Sequence, residues 1–452
     1  MFKKISKGCV RIVQNYLPDP FLFAVILTLI VLVGGMAATA QSPMDMVLHW
    51  SGGFWNLLAF SMQMALVLVT GHTLASTPII KRGLKSLAKL CKTPLQAIMA
   101  VTFVSTVACW INWGFGLVIG ALYARQLARE VKGVDYRLLI ASAYSGFIVW
   151  HSGLSGSVPL KLATAGEGLA KATNGAIVDP ISTSATIFSP FNLIIFGFIL
   201  VTMPFVNRAM HPSPDEVIEI DSKLLQDDED GHGVIEHGDS FADKMENSPV
   251  LSMLIGAMGL IYILYYFANN GFELNLNIVN FTFLFVGILL HKTPRRFLDA
   301  ISAAGKGTSG IILQLPFYAG IMGMMVGQNP DTGLSLAGLI SEGFVSISNQ
   351  TTYPLFTFLS AGIVNFFVPS GGGQWAVQAP IMMPAGAELG VSAAKTGMAI
   401  AWGDAWTNMI QPFWALPALG IANLGARDIM GFCLVDLLYS GVIIALGLMF
   451  IG

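Results

Sequence analysis

The sequence predicts an all-α polytopic membrane protein built from inverted structural repeats, with about nine crossing segments and two re-entrant hairpins of opposite orientation. Three observations carry that reading. The 452 residues are 54% hydrophobic and only 11% charged, against about 25% charged in ordinary globular domains, and the mean hydropathy is +0.68. Two apolar segments break at an asparagine followed by glycines, Asn112-Trp113-Gly114-Phe115-Gly116 and Asn365-Phe366-Phe367-Val368-Pro369-Ser370-Gly371-Gly372-Gly373. Lysine and arginine crowd some loops and are missing from others. A backbone break at bilayer depth leaves N–H and C=O groups that hydrocarbon cannot satisfy, so such breaks persist only inside protein or around a solvated cavity. A midplane cavity with amide dipoles suits a carrier of a small polar solute.

A crossing helix needs about 20 apolar residues, and basic residues in short loops set the side each loop occupies. Lys3, Lys4, Lys7 and Arg11 precede the first span, 20–40, and place the N-terminus in the cytoplasm. Ala38-Thr39-Ala40 resembles a signal-peptidase site, but the apolar run and its leader are too long for a signal peptide, so an uncleaved span is expected. The loop 41–53 has no Lys or Arg, whereas 78–94 carries Lys81, Arg82, Lys85, Lys89 and Lys92, so 54–77 returns to the cytoplasm. Arg125, Arg129, Lys132 and Arg137 must then be cytoplasmic too. The intervening 95–123 therefore enters and leaves on one side, a hairpin with Asn112-Trp113-Gly114 at its tip. Spans 138–160 and 187–207 complete an N-terminal repeat, 1–207.

Twelve of the 26 Asp and Glu residues fall between Asp215 and Glu246, so 208–248 reads as a flexible acidic cytoplasmic linker. The C-terminal repeat, 249–452, begins with an extra span, 250–268. Span 276–291 returns to His291, Lys292, Arg295 and Arg296, and 307–327 exits into 328–352, which has no Lys or Arg. The second broken segment, 353–387, therefore starts outside. If 396–420 returns to Arg427, that segment also ends outside, as a hairpin from the opposite face. Span 430–451 then leaves the C-terminus periplasmic, and Lys395 is the one discordant charge. Asn112 and Asn365 are 253 residues apart, Gln63 and Gln314 are 251 apart, and Pro159 and Pro417 are 258 apart. Similar elements in the same order with opposite orientation describe an inverted repeat.

Several function classes are excluded. The net charge of −2 is uninformative because the charge is so unevenly placed, but nucleic-acid binding needs a basic face and the sequence offers none. Cys9, Cys91, Cys109 and Cys433 are scattered without metal-ligand spacing and read as free thiols. There is no Walker A motif, no His-Glu-x-x-His helix and no Gly-x-Ser-x-Gly elbow, so no catalytic residue and no resident metal or cofactor is expected.

The candidate binding residues lie at the breaks. Helix ends at the tips would expose N–H groups and a partial positive charge suited to a carboxylate. Asn side chains can satisfy loosened backbone, accept a cation or donate to a solute. The bland alternative is that the glycines serve close helix packing. Two interrupted spans add His151-Ser152-Gly153-Leu154-Ser155-Gly156-Ser157 and Gly403-Asp404-Ala405-Trp406-Thr407-Asn408, with Gln411 and Pro412 following. Ionisable residues at depth are functional candidates by default; those noted are His72, His151, Asp404 and Asp436. Asp404, beside the second break, is placed to exchange a proton or help bind a cation, or else to cap a half-helix. Asp436 is expected to pair with a neighbouring helix, and His72 to be interfacial.

Longer strings resemble one family. They are Leu17-Pro18-Asp19-Pro20, Gly53-Phe54-Trp55-Asn56-Leu57-Leu58-Ala59-Phe60, Ile111-Asn112-Trp113-Gly114-Phe115-Gly116-Leu117, Leu290-His291-Lys292-Thr293-Pro294, Val368-Pro369-Ser370-Gly371-Gly372-Gly373 and Gln411-Pro412-Phe413-Trp414-Ala415-Leu416-Pro417-Ala418-Leu419. Across nearly the whole chain they resemble the short-chain fatty-acid transporters of bacteria, within the wider ion-transporter superfamily; the acidic loop is the main departure. The resemblance implies an inner-membrane carrier for short monocarboxylates such as acetoacetate and butyrate. It further implies a homodimer with a fixed scaffold and a moving transport domain, coupled to a proton or to sodium.

Together these readings describe alternating access, with a carboxylate held near the midplane. Asn112, Trp113, Gly114 and Gly116 of the first tip and Asn365, Ser370, Gly371, Gly372 and Gly373 of the second would surround it. Ser155, Ser157, Thr407 and Asn408 would contribute from the broken helices. Trp113 and Trp375 would accept the acyl tail, and Asp404 would serve the coupling ion. The partners are the monocarboxylate and the lipid bilayer. A carrier of another small carboxylate, a channel, or an enzyme using Ser155 with His151 are the alternatives.

Overall fold

The computed structural model describes residues 2–164, 167–220, 240–271, 276–305 and 308–451. Residues 221–239 of the predicted acidic linker, 208–248, lie outside the described residues. The described chain is helical throughout, with no strand. Proline opens helix after helix, at Pro20, Pro43, Pro78, Pro94, Pro190, Pro249, Pro294 and Pro412, because the first helical position needs no N–H partner. Side chains of Asp19, Ser42 and Thr93 cap the helices that follow them, each supplying an acceptor to an otherwise unbonded N–H.

The first half runs α1 (Phe2–Tyr16), α2 (Pro20–Thr39), α3 (Pro43–Gly53), α4 (Leu58–Ala75) and α5 (Pro78–Ala88). The first hairpin follows, α6 (Pro94–Ile111) and α7 (Trp113–Glu130). Next come α8 (Tyr136–Ser145), extended by a tighter 3-10 stretch Gly146–Ser152, then α9 (Ser157–Ala163), α10 (Glu167–Ala172) and α11 (Pro190–Ala209). After the short α12 (Phe241–Glu246), the second half runs α13 (Pro249–Asn270), α14 (Leu276–His291), α15 (Pro294–Gly305), α16 (Ser309–Val326) and α17 (Leu336–Ser346). The second hairpin is α18 (Tyr353–Phe367) and α19 (Gly371–Glu388), followed by α20 (Ala393–Thr407), α21 (Pro412–Ala422) and α22 (Ala426–Phe450).

The surface helices α1, α3, α5, α15 and α17 sit in segments read above as loops or leader. Each is 15 residues or shorter, below the span length on which that reading was scaled. The bend between α4 and α5 is 80°, and Pro78 explains it: proline pushes Thr77 out of helical backbone (φ −65°, ψ 145°). By length and composition six described helices could each cross a membrane, or seven with that bent pair as one span.

The arms of the first hairpin lie against each other closely. A Cβ on Gly116 would stand 2.5 Å from the Cys109 backbone nitrogen, and one on Gly120 2.7 Å from Ser105 Oγ. In the second hairpin, Gln374 Nε2 donates to the Ala361 carbonyl (2.9 Å), Gln378 Nε2 donates to Ser360 Oγ (3.0 Å), and the Tyr353 hydroxyl donates to the Met382 carbonyl. The two hairpins are rooted at opposite ends. Glu130, at the base of the first, lies 3.7 Å from Lys85, and Tyr136 OH donates to Ala422 O (2.9 Å), a few residues before the start of α22. There Arg427 Nε donates to the Leu17 carbonyl (2.6 Å). The 25 residues of α22, about 37 Å of helix, then lead to Ile451. Its carbonyl accepts from Lys395 Nζ (3.1 Å), beside the base of the second hairpin.

A prediction about sidedness follows from the meeting of Lys85 and Glu130. In a cysteine-free background, single cysteines at positions 89 and 129 should both resist an impermeant thiol reagent applied to intact cells, while those at 331–350 react. Labelling of 129 but not 89 would make the first hairpin a full crossing.

Candidate functional site

Two broken helices cross at the centre, each facing a hairpin. The first, α8 with its 3-10 extension, unwinds over 153–156 before α9; the second, α20, unwinds over 408–411 before α21. At the first break Leu154 N–H donates to the Trp110 carbonyl (2.8 Å), fastening it to the end of α6. A Cβ on Gly153 would stand 2.8 Å from both Cα and C of Trp110. At the second, a Cβ on Gly403 would stand 2.6 Å from Ala361 Cβ and would also overlap the Phe358 carbonyl oxygen. The same device, glycine under backbone, joins each broken helix to its hairpin.

The first tip is a single residue. Asn112, with φ −152° and ψ 121°, ends α6 and caps α7, its Oδ1 accepting from Phe115 N–H at 2.9 Å. Trp113 N–H donates to Ser155 Oγ (3.1 Å) and Gly116 N–H to Asn112 O (2.8 Å). The Trp113, Phe115 and Gly116 amides at this helix start are thus bonded within the protein. Gly114 and Gly116 lie inside α7 rather than in a loosened loop, and Gly116 serves close packing on Cys109.

The second tip is Val368-Pro369-Ser370, and Asn365 is not part of it. Asn365 lies within α18, two residues before its end, and its Nδ2 donates to Thr407 Oγ1 and Asn408 Oδ1, both at 2.9 Å. Thr407 passes the bond on to Gly362 O (2.9 Å), and Tyr144 OH donates to Asn408 O (2.7 Å). Ser370 caps α19, its Oγ accepting from Gly373 N–H at 3.3 Å. The residues in equivalent roles are therefore Asn112 and Ser370, 258 positions apart like Pro159 and Pro417, and not Asn112 and Asn365.

The second tip leans on the first half. A Cβ on Gly371 would stand 2.7 Å from His151 Cε1 and 3.1 Å from Ser157 Cβ, so only glycine permits this approach. Lys161 Nζ lies 3.4 Å from the Gly372 carbonyl. A Cβ on Gly373 would stand 2.9 Å from Met322 Sδ. The N–H groups of Gly371 and Gly372 point out of the first turn of α19, where no intrahelical acceptor exists. Gly373 opens onto a cavity of about 470 Å³ between α16, α17 and α19, lined by Met322, Val326, Leu339 and Val377 and also by Gln328, Ser335 and Glu342.

Between the breaks, His151 Nδ1 stands 2.7 Å from Asp404 Oδ2, both side chains fully buried. His151 Nε2 accepts from Val158 N–H at 3.0 Å, so the ring proton sits on Nδ1 and is donated to the carboxylate. Trp150 stacks on the imidazole with centroids 4.1 Å apart. Asp404 Oδ1 has no hydrogen-bond partner among the described residues.

Three expectations change. Trp113 sits in an aromatic cluster with Trp150 and Trp414, centroids 6.0 and 5.0 Å away. Trp375 is buried among Val158, Leu162 and Ala379. Both tryptophans are core, which leaves no space at them for an acyl tail. Asp436 pairs with no neighbouring helix: it is fully buried, and neither carboxylate oxygen has a hydrogen-bond partner among the described residues. The Ser155 hydroxyl faces Trp113 and shares no bond with His151. Lys161 was overlooked because it lies one residue past the span 138–160; a lysine just beyond a broken span was the available signal.

Asn112→Ala and Asn365→Ala separate capping from binding. Losing the Asn112 cap should cost about 1 kcal/mol of stability, read as a modest fall in the melting temperature of detergent-purified protein. Asn365→Ala breaks two buried bonds of about 1 kcal/mol each and should lower uptake more severely than Asn112→Ala. Wild-type transport constants in both variants would reduce the two asparagines to packing devices.

The family described as short chain fatty acid transporter matches residues 1–451. A provisionally named short-chain fatty acid transporter of Escherichia coli K12 is 48% identical over 448 residues, covering 99% of each chain. One of Haemophilus influenzae, provisionally named in the same way, is 44% identical over 456 residues, covering 100% of each. A solved structure, the YdaH transporter of Alcanivorax borkumensis, aligns over 96% of this chain and 97% of its own at 15% identity and a TM-score of 0.39. By its matched length and its relatives, this chain belongs to the short-chain fatty acid transporter family, and is a membrane transporter rather than an enzyme.

Proposed function

We propose that the protein carries short monocarboxylates such as acetoacetate and butyrate across the bacterial inner membrane by alternating access. It would act as a homodimeric proton or sodium symporter, with a cytoplasmic N-terminus and a periplasmic C-terminus. The observation that carries the reading is the second hairpin tip. A helix start presents two amide N–H groups and a lysine stands beside them, and the next residue, Gly373, opens onto a cavity with apolar walls at Met322, Val326, Leu339 and Val377 and polar ones at Gln328, Ser335 and Glu342. A carboxylate on those donors would direct its short acyl chain along Met322 and Val377, the division of labour expected of a small-molecule site. The first tip commits the Phe115 and Trp113 amides to Asn112 and Ser155, which favours a role in shaping the site over holding the anion. Ser157, Thr407 and Asn408 support the broken backbone around it.

The test is uptake of labelled acetoacetate and butyrate into proteoliposomes, with proton and sodium gradients imposed separately. Saturable uptake under one gradient is expected. Lys161→Gln should raise KM by about tenfold or more, the worth of a hydrogen bond to a charged group. Absence of saturable uptake of either acid under both gradients would overturn the reading.

A further inference from the structure

We infer that Asp436 is a second proton-binding site, separate from the Asp404–His151 pair, and that its proton comes from a basin between α1, α8 and the end of α11. Asp436 lies in the interior of α22, a helix long and apolar enough to cross a membrane. Its side chain is fully buried, and neither carboxylate oxygen has a hydrogen-bond partner among the described residues. Ionisable groups at that depth are costly and by default functional. The face of α22 that carries Asp436 turns toward α11: about three helical turns further along that face, a Cβ on Gly447 would overlap Ile195. Nearer the start of α22, Phe432 lines one basin with Met210, which stands just past the end of α11. The two helices therefore run antiparallel, and Asn207 and Asp436, each about one turn in from the basin, stand at one level.

That level is short of donors. Thr102 Oγ1 and Ser145 Oγ donate to the carbonyls of Ile98 and Ser142, both at 2.8 Å, so toward Asn207 they can only accept. The Asn207 amide meets them with its nitrogen, at 3.0 and 2.9 Å. Both of its N–H bonds are used, and its Oδ1 is left without a partner among the described residues. An ionised Asp436 would add two more acceptors and an uncompensated charge, and a buried group so placed takes a proton instead. The bound proton turns one of these acceptors into a donor. The basin can supply it: about 440 Å³ in volume, it is lined by the charged side chains of Lys3, Lys4, Lys7, Arg137 and Glu216. Met210 and Phe432 stand between it and Asp436. On α8 the buried Ser142 hydroxyl, also without a partner among the described residues, lies between Arg137 and Ser145. The other titratable groups on the helices packed against α22 are engaged elsewhere or exposed. Arg137 holds Asp135 (2.8 Å), the Tyr136 and Tyr144 hydroxyls donate to the carbonyls of Ala422 and Asn408, and Lys395 Nζ reaches Ile451 at the opposite end. Tyr353 donates to Met382, Arg11, Tyr16 and Arg208 are exposed, and Cys9 and Cys433 are free thiols.

The experiment uses the full-length protein in proteoliposomes and reads the proton directly, without transport. Infrared spectra of the wild type at neutral pH should show the carbonyl stretch of a protonated carboxyl, shifted in heavy water. Asp436→Asn should remove a band of that kind, and the same band should remain in Asp404→Asn. Phe432→Ala, which thins the wall between basin and carboxyl, should speed the shift on transfer to heavy water. Phe450→Ala, exposed at the other end of α22, should leave it at the wild-type rate. Should Asp436→Asn fail to fold, dicyclohexylcarbodiimide carries the comparison in the wild type. Its nitrogen takes an acid's proton as the carboxyl oxygen bonds to its carbon, so peptide mass spectrometry should find it on Asp436. A spectrum unchanged by Asp436→Asn, or an unlabelled Asp436 where that variant cannot be made, would overturn the site. So would a band removed by sodium chloride but not by potassium chloride, which would give the carboxylate a sodium ion instead. Exchange at the wild-type rate in Phe432→Ala would overturn the route from the basin.

Discussion

Gly153→Ala is expected to be among the most destabilising single-methyl additions at the protein's glycines. The added carbon would stand 2.8 Å from Cα and C of Trp110, backbone atoms that cannot rotate away, with the Trp110 carbonyl oxygen nearer still. That carbonyl also accepts the Leu154 N–H bond that fastens the break to α6. The methyl therefore separates two segments and weakens the hydrogen bond between them. Overpacking in a close-packed interior costs about 1–3 kcal/mol, and an unyielding neighbour puts Gly153→Ala at or above the top of that range. Gly403→Ala, whose methyl would overlap the Phe358 carbonyl and stand 2.6 Å from Ala361 Cβ, should behave alike, since the second half uses the same device. Gly197, with nothing within 4 Å of its Cβ direction, is the control, and Ala in that helix interior should be neutral or slightly stabilising. Thermal unfolding and monodispersity in detergent read the difference. A Gly153→Ala protein that melts with wild type would mean that the break and α6 are not held as close as the structure places them.

The two breaks and their hairpins were legible because backbone loosening at bilayer depth demands residues that ordinary spans avoid. Asn112, the glycines after it and the Ser370–Gly373 run stand out in apolar surroundings for that reason. Their individual roles were not legible. Asn365 and Asn112 look alike in sequence, yet one bonds Thr407 and Asn408 from inside a helix and the other caps the next helix. That distinction depends on where α18 ends, which local pattern fixes only to within a few residues. Side-chain partners were further out of reach: nothing in the spacing of His151 and Asp404 announces a 2.7 Å contact between different halves of the chain. The tryptophans misled because an aromatic near a glycine break looks the same whether it lines a cavity or fills a core. Short helices such as α5 were missed because span length was the yardstick.

Asp404→Asn should abolish gradient-driven accumulation of substrate while preserving exchange of internal for external substrate, provided that the coupling ion is a proton. The carboxylate has the two properties the role requires. Its Oδ2 accepts from His151 Nδ1, and its Oδ1 has no hydrogen-bond partner among the described residues. A proton can therefore be taken on Oδ1 without breaking the bond to the imidazole. Asparagine, oriented with its carbonyl toward His151, keeps that bond and the shape of the protonated acid but cannot release a proton. A proton on Nε2 would face the Val158 N–H that Nε2 now accepts, and both would be donors. Charging His151 would thus require the first turn of α9 to move, and that turn abuts Gly371 of the second tip through Ser157. A proton on His151 would in this way be coupled to displacement of the hairpin, whereas one on Asp404 Oδ1 alone would leave the first turn of α9 in place. His151→Gln, which removes the imidazole that bridges Asp404 and the first turn of α9, should also lose concentrative uptake. Concentrative uptake that survives in Asp404→Asn would rule the aspartate out as the proton carrier. Sodium-dependent uptake in the wild type would move the coupling site to Asn365 and Asn408, where Asn365 Oδ1 is a buried acceptor without a partner among the described residues. Asp404 would then serve to hold His151 against the first turn of α9.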